Sequence, residues 1–282
     1  MRISIVTPSF NQGRYIERTI RSVLLQGYAD LEYIVMDGGS ADNTLEVLQK
    51  YQDRFAYWTS APDKGQADAI ARGLEHSTGE IMAYLNSDDV LAPGTLHFVD
   101  RFFSEHPKVD AIYSHRLSID EHDRVIWHWL LPVHISYMMK RWDFIPQETC
   151  FWRRRLFERA GNIDSSYRFA MDYDLFVRYM KRGKFQRVNR FLAAFRVHPE
   201  SKTTKEFKTI GMEEFHLIWE RHQTKWHPHD YFLQTWFVEL ASSQGERFGA
   251  LRKHLPGAFA GLGYDYNDFW GGLLKEPASK QP

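Results

Sequence analysis

The stretch that decides the fold is a short apolar run followed by two acids, Glu80-Ile81-Met82-Ala83-Tyr84-Leu85-Asn86-Ser87-Asp88-Asp89. The apolar run has the length of a β-strand and predicts a buried one. Asp88 and Asp89 follow its carboxyl end, where unpaired buried charge is costly, so they must meet solvent, a partner charge or a metal ion. A divalent cation bridging oxygen ligands and a diphosphate suits this place in an α/β sheet. The alternative is a helix N-cap or an Asx turn ahead of residues 90–94.

Composition excludes several classes of protein. Hydrophobic residues make up 43% and charged residues 26% of the 282 positions, which is close to the globular norm. Lys plus Arg and Asp plus Glu number 36 each, so we expect no nucleic-acid partner. The one cysteine, Cys150, excludes an intrachain disulfide framework and fits a reducing compartment. The chain begins with a strand-like run and no stretch has the length of a membrane span, so we expect a cytoplasmic protein.

Strand and helix signals alternate through the first half of the chain. Strands are predicted at residues 3–6, 31–36, 55–59 and 81–85, and helices at 15–26, 44–51 and 67–74. This alternation predicts an α/β fold with a mostly parallel sheet and helices on its faces. Beyond it we predict helices at 95–104, 152–160 and 173–182, and strands at 111–114, 124–130 and 191–197. After Glu200 the pattern becomes helical and aromatic.

Polar, turn-forming clusters follow the predicted strands of the first half, at residues 7–11, 37–40, 63–66 and 86–89. They should meet at one edge of the sheet and supply small residues and carboxylates to a nucleotide. Lys64 can present a point charge to a phosphate. Each loop alone is more often ordinary turn chemistry, but their convergence favours a binding site. The glycine-rich phosphate loops of P-loop and dinucleotide-binding proteins are absent.

Two later motifs carry further candidate groups. In the run from Phe169 to Phe176, Asp172 and Asp174 lie at the predicted start of a helix. One acid would cap the helix and the other could act as a general base, although capping is the commoner role for either. His198 follows the last predicted strand and could bind a metal, although a loop histidine is more often simply solvated. Residues 146–149 either line a substrate or form a plain loop.

Taken together, these stretches resemble the inverting family 2 glycosyltransferases of the GT-A fold. The resemblance covers residues 2–203 and rests on Ile5-Val6-Thr7-Pro8-Ser9-Phe10-Asn11, Gln26-Gly27-Tyr28, the run from Tyr33 to Thr44, Asn86-Ser87-Asp88-Asp89, Gly161-Asn162-Ile163-Asp164, Met171-Asp172-Tyr173-Asp174 and Arg196-Val197-His198. It implies a GT-A, Rossmann-like domain at residues 1–203, with a mostly parallel mixed sheet flanked by helices. Residues 204–282 would form a helical, aromatic-rich extension packed on that domain.

The resemblance also implies a donor site for a nucleoside-diphosphate sugar. Its nucleotide-sugar-binding residues would be Thr7, Pro8 and Asn11 in the base and ribose pocket, Asp37 at the nucleoside, Lys64 and Asp68 beside the base or diphosphate, Asn86, and Asp88 near the ribose. Asp89 would bind a divalent metal, Mn²⁺ or Mg²⁺, with His198 as its second protein ligand. Asp172 would be the catalytic base that accepts a proton from a hydroxyl of a saccharide or lipid-linked acceptor.

The chain departs from the family pattern at two positions. Gly38 follows Asp37 where many members have a second acid, so the resemblance does not identify the nucleotide. Met171 precedes Asp172 where a glutamate is common, and loss of that like charge would ease ionisation of Asp172. We weigh two other functions, a catalytically silent nucleotide-sugar-binding module and a nucleotidyltransferase. Retention of the site acids argues against the first, and the lack of a glycine-rich basic loop after the first strand argues against the second.

The C-terminal aromatic residues allow two interpretations. Phe215, Ile218, Trp219 and His222 recur at helical spacing and could pack back on the domain. The later aromatics could instead rest on a bilayer that holds lipid-linked acceptors; they are Trp226, Tyr231, Phe232, Trp236 and Phe237. Packing is the favoured interpretation, and peripheral contact with the inner face of the membrane is the alternative.

Overall fold

The computed structural model describes residues 1–225. Nine strands of this part of the chain form one sheet. They are β1 (Ile3–Ser9), β2 (Leu31–Asp37), β3 (Tyr57–Ser60), β4 (Ile81–Tyr84), β5 (Val90–Leu91), β6 (Ala111–Ile119), β7 (Val125–Trp129), β8 (Phe151–Arg153) and β9 (Phe185–Arg196). The strand order is β3-β2-β1-β4-β8-β6-β9-β5, and β7 pairs with β6.

The first four strands are parallel and the rest of the sheet is mixed. β1 pairs in parallel with β2 and β4, and β2 with β3, whereas β8 runs antiparallel to both of its neighbours. Further on, β6 and β9 are parallel and β5 and β7 are antiparallel to their partners. The predicted α/β class with a mixed sheet is therefore confirmed, and the carboxyl ends of β1 to β4 lie at one edge.

Helices cover both faces of the sheet. They are α1 (Ile16–Leu24), α2 (Thr44–Tyr51), α3 (Gln66–His76), α4 (Thr95–Glu105), α5 (Ser136–Met139), α6 (Arg154–Ala160), α7 (Met171–Met180), α8 (Lys202–Glu206) and α9 (Met212–His222), with a π-helical turn at Phe207–Gly211. Alternate strand residues point to opposite faces: Ile5 joins a core with α1, α2 and α4, and Val6 joins a core with α3, α7 and α9. This two-sided burial explains why the central strands read as continuous apolar runs.

The helix predicted at residues 152–160 is wrong in its first residues. Phe151 and Trp152 belong to the short strand β8, in which Trp152 pairs with Met82 on one side and Ala111 on the other. The helix α6 begins only at Arg154. The last strand also begins earlier than predicted, at Phe185, because polar residues interrupt its apolar pattern before Phe191. Propensity within a window cannot reveal partners from distant strands.

The segment after residue 203 packs on the sheet as far as it is described. Phe215 and Trp219 of α9 are buried against Trp142, and the Trp219 indole N–H donates to the Tyr173 hydroxyl at 3.0 Å. None of the helices within residues 1–225 is both long and apolar enough to cross a membrane. The later aromatics, from Trp226 to Phe237, lie outside the described residues. The division of the chain at residue 203 stays a prediction.

Candidate active site

A cavity of about 840 Å³ opens along the carboxyl edge of the parallel strands. Its wall brings together five of the residues predicted from the sequence, namely Pro8, Lys64, Asn86, Asp88 and Asp172. Pro8 lies near the carboxyl end of β1, the next three come from loops that follow β3 and β4, and Asp172 comes from the first turn of α7. The cavity therefore joins the loops of the parallel half to the helix that carries the candidate base.

Asp88 contacts His198 at the edge of this cavity. The Asp88 Oδ2 atom lies 3.0 Å from the His198 Nε2 atom. The imidazole is buried and packs against the Tyr15 ring, with the ring centroids 4.9 Å apart. The segment after β9 thus delivers an imidazole to the acid that follows β4.

Asp89 has a different environment from the one predicted. Its carboxylate is buried and does not line the cavity; Oδ1 accepts the backbone N–H of Arg196 at 2.9 Å. Within the described residues Oδ2 has no hydrogen-bond partner, and burial together with the Asp88 charge raises the pKa of Asp89 well above its usual value. In this structure Asp88, and not Asp89, contacts His198 and lines the cavity. The role of Asp89 as a metal ligand stays a prediction.

Four other predicted residues hold the cavity loops in place without lining the cavity. The buried Asp37 carboxylate accepts the backbone N–H groups of Gly39 and Ser40 and the Ser60 hydroxyl at 2.6–3.2 Å. Thr7 is buried against the Tyr33 hydroxyl, and the Asn11 side chain accepts the Ala41 N–H. The Asp68 carboxylate accepts the Lys64 N–H at 3.3 Å and lies 3.8 Å from Arg72. Their contacts therefore fix the loops after β1, β2 and β3.

Gln147 positions Asn86 through a hydrogen bond. Gln147 belongs to residues 146–149, for which the sequence allowed either a substrate wall or a plain loop. The Gln147 side chain accepts from the Asn86 amide at 3.1 Å and donates to the Tyr84 carbonyl at 2.7 Å. Gln147 and Glu148 both line the cavity. The substrate-wall interpretation thus fits their position.

The cavity wall also carries two charged residues, Arg116 and Asp143, that the sequence did not indicate. Arg116 donates from Nε and Nη2 to the two oxygens of Glu148, each at 2.8 Å. Asp143 lines the cavity beside Trp142, and burial with the nearby Asp172 charge raises the pKa of Asp143 well above its usual value. These residues come from a strand and an irregular segment without a recognisable motif, so only their three-dimensional convergence identifies them.

The two acids of α7 have opposite environments. Asp172 lines the cavity, its Oδ1 accepts the Tyr173 N–H at 2.9 Å, and burial raises the pKa of Asp172 to about 6. Asp174 is fully buried on the other side, where Arg178 donates to it at 2.7 Å and His222 Nε2 lies 2.8 Å from it. Burial opposes these contacts, but the His222 and Arg178 interactions lower the pKa of Asp174. Asp172 is thus the acid available to a substrate.

The loop ahead of Asp172 is anchored by two later residues. The Glu214 carboxylate, on α9, accepts the backbone N–H groups of Arg168, Phe169 and Ala170 at 2.6–2.8 Å. Lys202 donates from Nζ to the Arg168 carbonyl at 2.8 Å and to the Gln66 side chain at 2.7 Å. Lys202 therefore links the loop of Asp172 to the N-terminus of α3 across the cavity.

Comparison with known proteins matches this architecture. The model of glycosyl transferase family 2 matches residues 4–164, which is more than half of the chain. The chain belongs to glycosyl transferase family 2. An uncharacterized glycosyltransferase of Nostoc sp. is 30% identical over 217 residues, a match that covers 70% of this chain and 65% of that protein. The chondroitin synthase of Escherichia coli is 26% identical over 225 residues, 77% of this chain and 32% of the synthase. Both matches thus span less than two thirds of the relative.

Solved structures share the fold of this family 2 protein. S. aureus TarS 1–349 in complex with UDP-GlcNAc superposes with a TM-score of 0.61 and 16% identity, covering 77% of this chain and 64% of that chain. A mannosyltransferase of Pyrobaculum calidifontis in complex with GDP-Man and Mn²⁺ has a TM-score of 0.56 and 16% sequence identity. The match covers 94% of this chain and 88% of that chain. At such identities the similarity establishes the fold alone. It confirms the predicted fold class of GT-A glycosyltransferases.

Proposed function

We propose that this family 2 protein is an inverting glycosyltransferase that moves a sugar from a nucleoside-diphosphate donor to a hydroxyl of a saccharide or lipid-linked acceptor, such as a precursor of a cell-envelope polysaccharide. One observation carries the proposal: a single cavity is lined both by Asp88, which contacts His198, and by the half-buried acid Asp172. Related structures that contain UDP-GlcNAc or GDP-Man support a donor of this class.

The contact between Asp88 and His198 fits a divalent cation. Asp88 and His198 would hold the ion through a carboxylate oxygen and an imidazole nitrogen, which lie 3.0 Å apart here. No group of three or more His, Cys, Asp or Glu side chains suited to a metal occurs within residues 1–225. Substrate phosphates would therefore complete the coordination, as is usual for Mg²⁺ and related cations. When bound, Mn²⁺ or Mg²⁺ would neutralise charge on the departing diphosphate.

Asp172 is the residue proposed to accept the proton of the acceptor hydroxyl. With a pKa of about 6, its carboxylate is mostly ionised at neutral pH and still basic enough to accept a proton as the hydroxyl attacks the anomeric carbon. A single displacement of this kind inverts the anomeric centre. Arg116 donates two hydrogen bonds to Glu148 nearby, and this pair shapes the cavity wall.

The residues around Asp172 favour a saccharide on the acceptor side. Trp142, Phe169 and Phe207 line the same cavity, and Trp142 is backed by Trp219 with the ring centroids 6.0 Å apart. Aromatic faces of this kind suit the apolar faces of sugar rings. The cytoplasmic location and the peripheral membrane contact remain predictions.

Binding and turnover together test the proposal. We expect UDP or GDP with Mn²⁺ to raise the melting temperature of the protein by mass action, and chelation of the metal to abolish the shift. We also expect slow release of the nucleoside diphosphate from a matching nucleotide sugar, which Asp172→Asn suppresses. Binding without any turnover on a panel of nucleotide sugars and saccharides would favour the silent module. Release of pyrophosphate from nucleoside triphosphate and sugar phosphate would identify a nucleotidyltransferase.

A further inference from the structure

The Asp63 carboxylate occupies the space that a side chain at position 38 would need. A Cβ atom on Gly38 would lie 2.9 Å from Asp63 Oδ2, which is closer than real Cβ contacts, and 3.2 Å from Oδ1. Gly38 is absent from the glycines with positive φ, so its backbone does not require glycine. Space for Asp63, and not conformational freedom, therefore explains the glycine.

Asp63 keeps one oxygen available for a ligand. Its Oδ1 accepts the backbone N–H of Gly65 at 2.7 Å, which fixes the orientation of the carboxylate. Oδ2 faces Gly38, and both residues line the cavity. Within the described part of the chain Asp63 forms no ion pair. An oriented carboxylate oxygen at a cavity wall is a hydrogen-bond acceptor that selects N–H or O–H donors.

The sheet order places this oxygen away from the proposed phosphate end. Gly38 and Asp63 follow β2 and β3, whereas Asp88 follows β4, and the order of these strands is β3-β2-β1-β4. Adjacent strands lie about 4.8 Å apart, so the two positions are separated by roughly 10–14 Å, the scale of one nucleotide. Pro8 at the end of β1 and Phe10 just after it line the cavity, and Phe10 is 61% exposed, as a ring open to stacking would be.

We propose that Asp63 selects the nucleobase of the donor, a base with a ring N–H at its pairing edge. The proposal rests on the nucleotide-sugar function above. Uracil presents N3–H, and guanine presents N1–H with its neighbouring amino group. Cytosine and adenine present an unprotonated ring nitrogen at the same place, which would face a carboxylate oxygen without a proton between them. A polar group left unpaired in a closed site costs affinity, so the carboxylate disfavours these two bases.

Calorimetric titration of UDP, GDP, CDP and ADP in Mn²⁺ buffer tests the proposal on the full chain. We expect UDP or GDP to bind at least about tenfold more tightly than CDP and ADP, since one hydrogen bond to a charged group is worth about that factor. Asp63→Asn should weaken the preferred nucleotide about 10- to 100-fold and change CDP little or strengthen it. Gly38→Ala should reduce the same preference, because its Cβ displaces the carboxylate.

The exposed Asp53 provides a matched control, since Asp53→Asn makes the same change away from the cavity and should leave the order of nucleotides unchanged. The better of UDP and GDP identifies the base. Two results would overturn the role of Asp63. In the first, Asp63→Asn and Gly38→Ala bind the nucleotides tightly and in the same order of affinity as the native protein. In the second, the native protein prefers CDP or ADP. Failure of the native protein to bind any of the four refutes the proposed function instead.

Discussion

Asp88 and His198 are separated by 110 residues, yet the Asp88 carboxylate and the His198 imidazole lie 3.0 Å apart. The parallel pairing of β6 and β9 makes this possible, because it returns the chain to the carboxyl edge of the sheet. The neighbouring acid, Asp89, is held from the same side by the backbone of Arg196. Adjacent residues thus receive a candidate ligand role and a structural role.

Substitution of these two acids separates their roles. Asp88→Asn should weaken the Mn²⁺-dependent binding of UDP or GDP by about 100-fold or more. Mutation of residues that only contact a metal ligand already lowers metal affinity by about 10–100-fold. Asp89→Asn should bind nearly normally, because burial favours the protonated form of Asp89 and an amide oxygen can still accept the Arg196 N–H. Titration calorimetry with and without a chelator measures both. The reverse pattern would identify Asp89 as the metal ligand.

The pH dependence of transfer reports on Asp172. The base must be ionised, and its pKa is about 6, so kcat should rise about tenfold per pH unit below 6 and level off above 7. Asp172→Asn should lower kcat by about 10²- to 10⁴-fold and leave the binding of the nucleotide within a factor of three. Initial rates from pH 5 to 8 provide the profile. A variant with native turnover would exclude Asp172 as the base.

Asp172 should also reduce stability at neutral pH. The folded state raises its pKa from 3.8 to about 6, so the folded protein holds this proton more tightly than the unfolded chain does. The unfolding free energy therefore falls as pH rises from about 4 to about 6, by on the order of 3 kcal/mol at most, and the penalty persists above that range. Asp172→Asn should accordingly be more stable than the native protein at pH 7.5, and the advantage should disappear near pH 4. Urea unfolding at the two pH values is the measurement.

Asp174, two residues further along α7, should respond in the opposite direction. Its fully buried carboxylate contacts Arg178 and His222, and Asp174→Ala would leave both without that partner. Loss of one member of a buried ionic pair typically costs about 3–5 kcal/mol. Thermal or urea unfolding should show this loss at pH 7.5, where Asp172→Asn gains stability. Equal stability of Asp174→Ala and the native protein would contradict the structural role.

Glu214 should affect turnover without contacting the nucleotide. Three backbone N–H groups of the loop ahead of Asp172 donate to its carboxylate, and bonds to a charged acceptor are the strong ones. Glu214→Gln should therefore loosen the loop and lower kcat about 10- to 100-fold, while the Kd of the nucleotide stays unchanged. The neighbouring exposed Glu213 offers the control Glu213→Gln, which should change neither kcat nor the Kd of the nucleotide. A changed Kd for Glu214→Gln would argue for general unfolding of the site.

The parts of the fold that could be predicted depend on local information. Alternating apolar runs and turn residues indicated β1 to β4 and the loops that follow them, because periodicity and turn chemistry lie within a few residues of each element. The roles of adjacent acids could not be predicted in the same way. Whether Asp88 or Asp89 faces the cavity is decided by Arg196 and His198, and whether Asp172 or Asp174 is free is decided by His222. Such tertiary partners leave no local pattern in the sequence.

Lys202 gives the cavity a consequence for the order in which substrates bind. The same short segment holds His198 against Asp88 and, through Lys202, holds the carbonyl of Arg168 ahead of the candidate base. If a bound cation and nucleotide change the positions of His198 and Asp88, the segment that contains His198 and Lys202 would move with them. The loop ahead of Asp172, which Lys202 contacts, would then change its position too. We therefore expect compulsory-order kinetics, with the donor as leading substrate and the nucleoside diphosphate as last product. In such a scheme the acceptor hydroxyl meets a positioned Asp172 only when the leaving group is already in place.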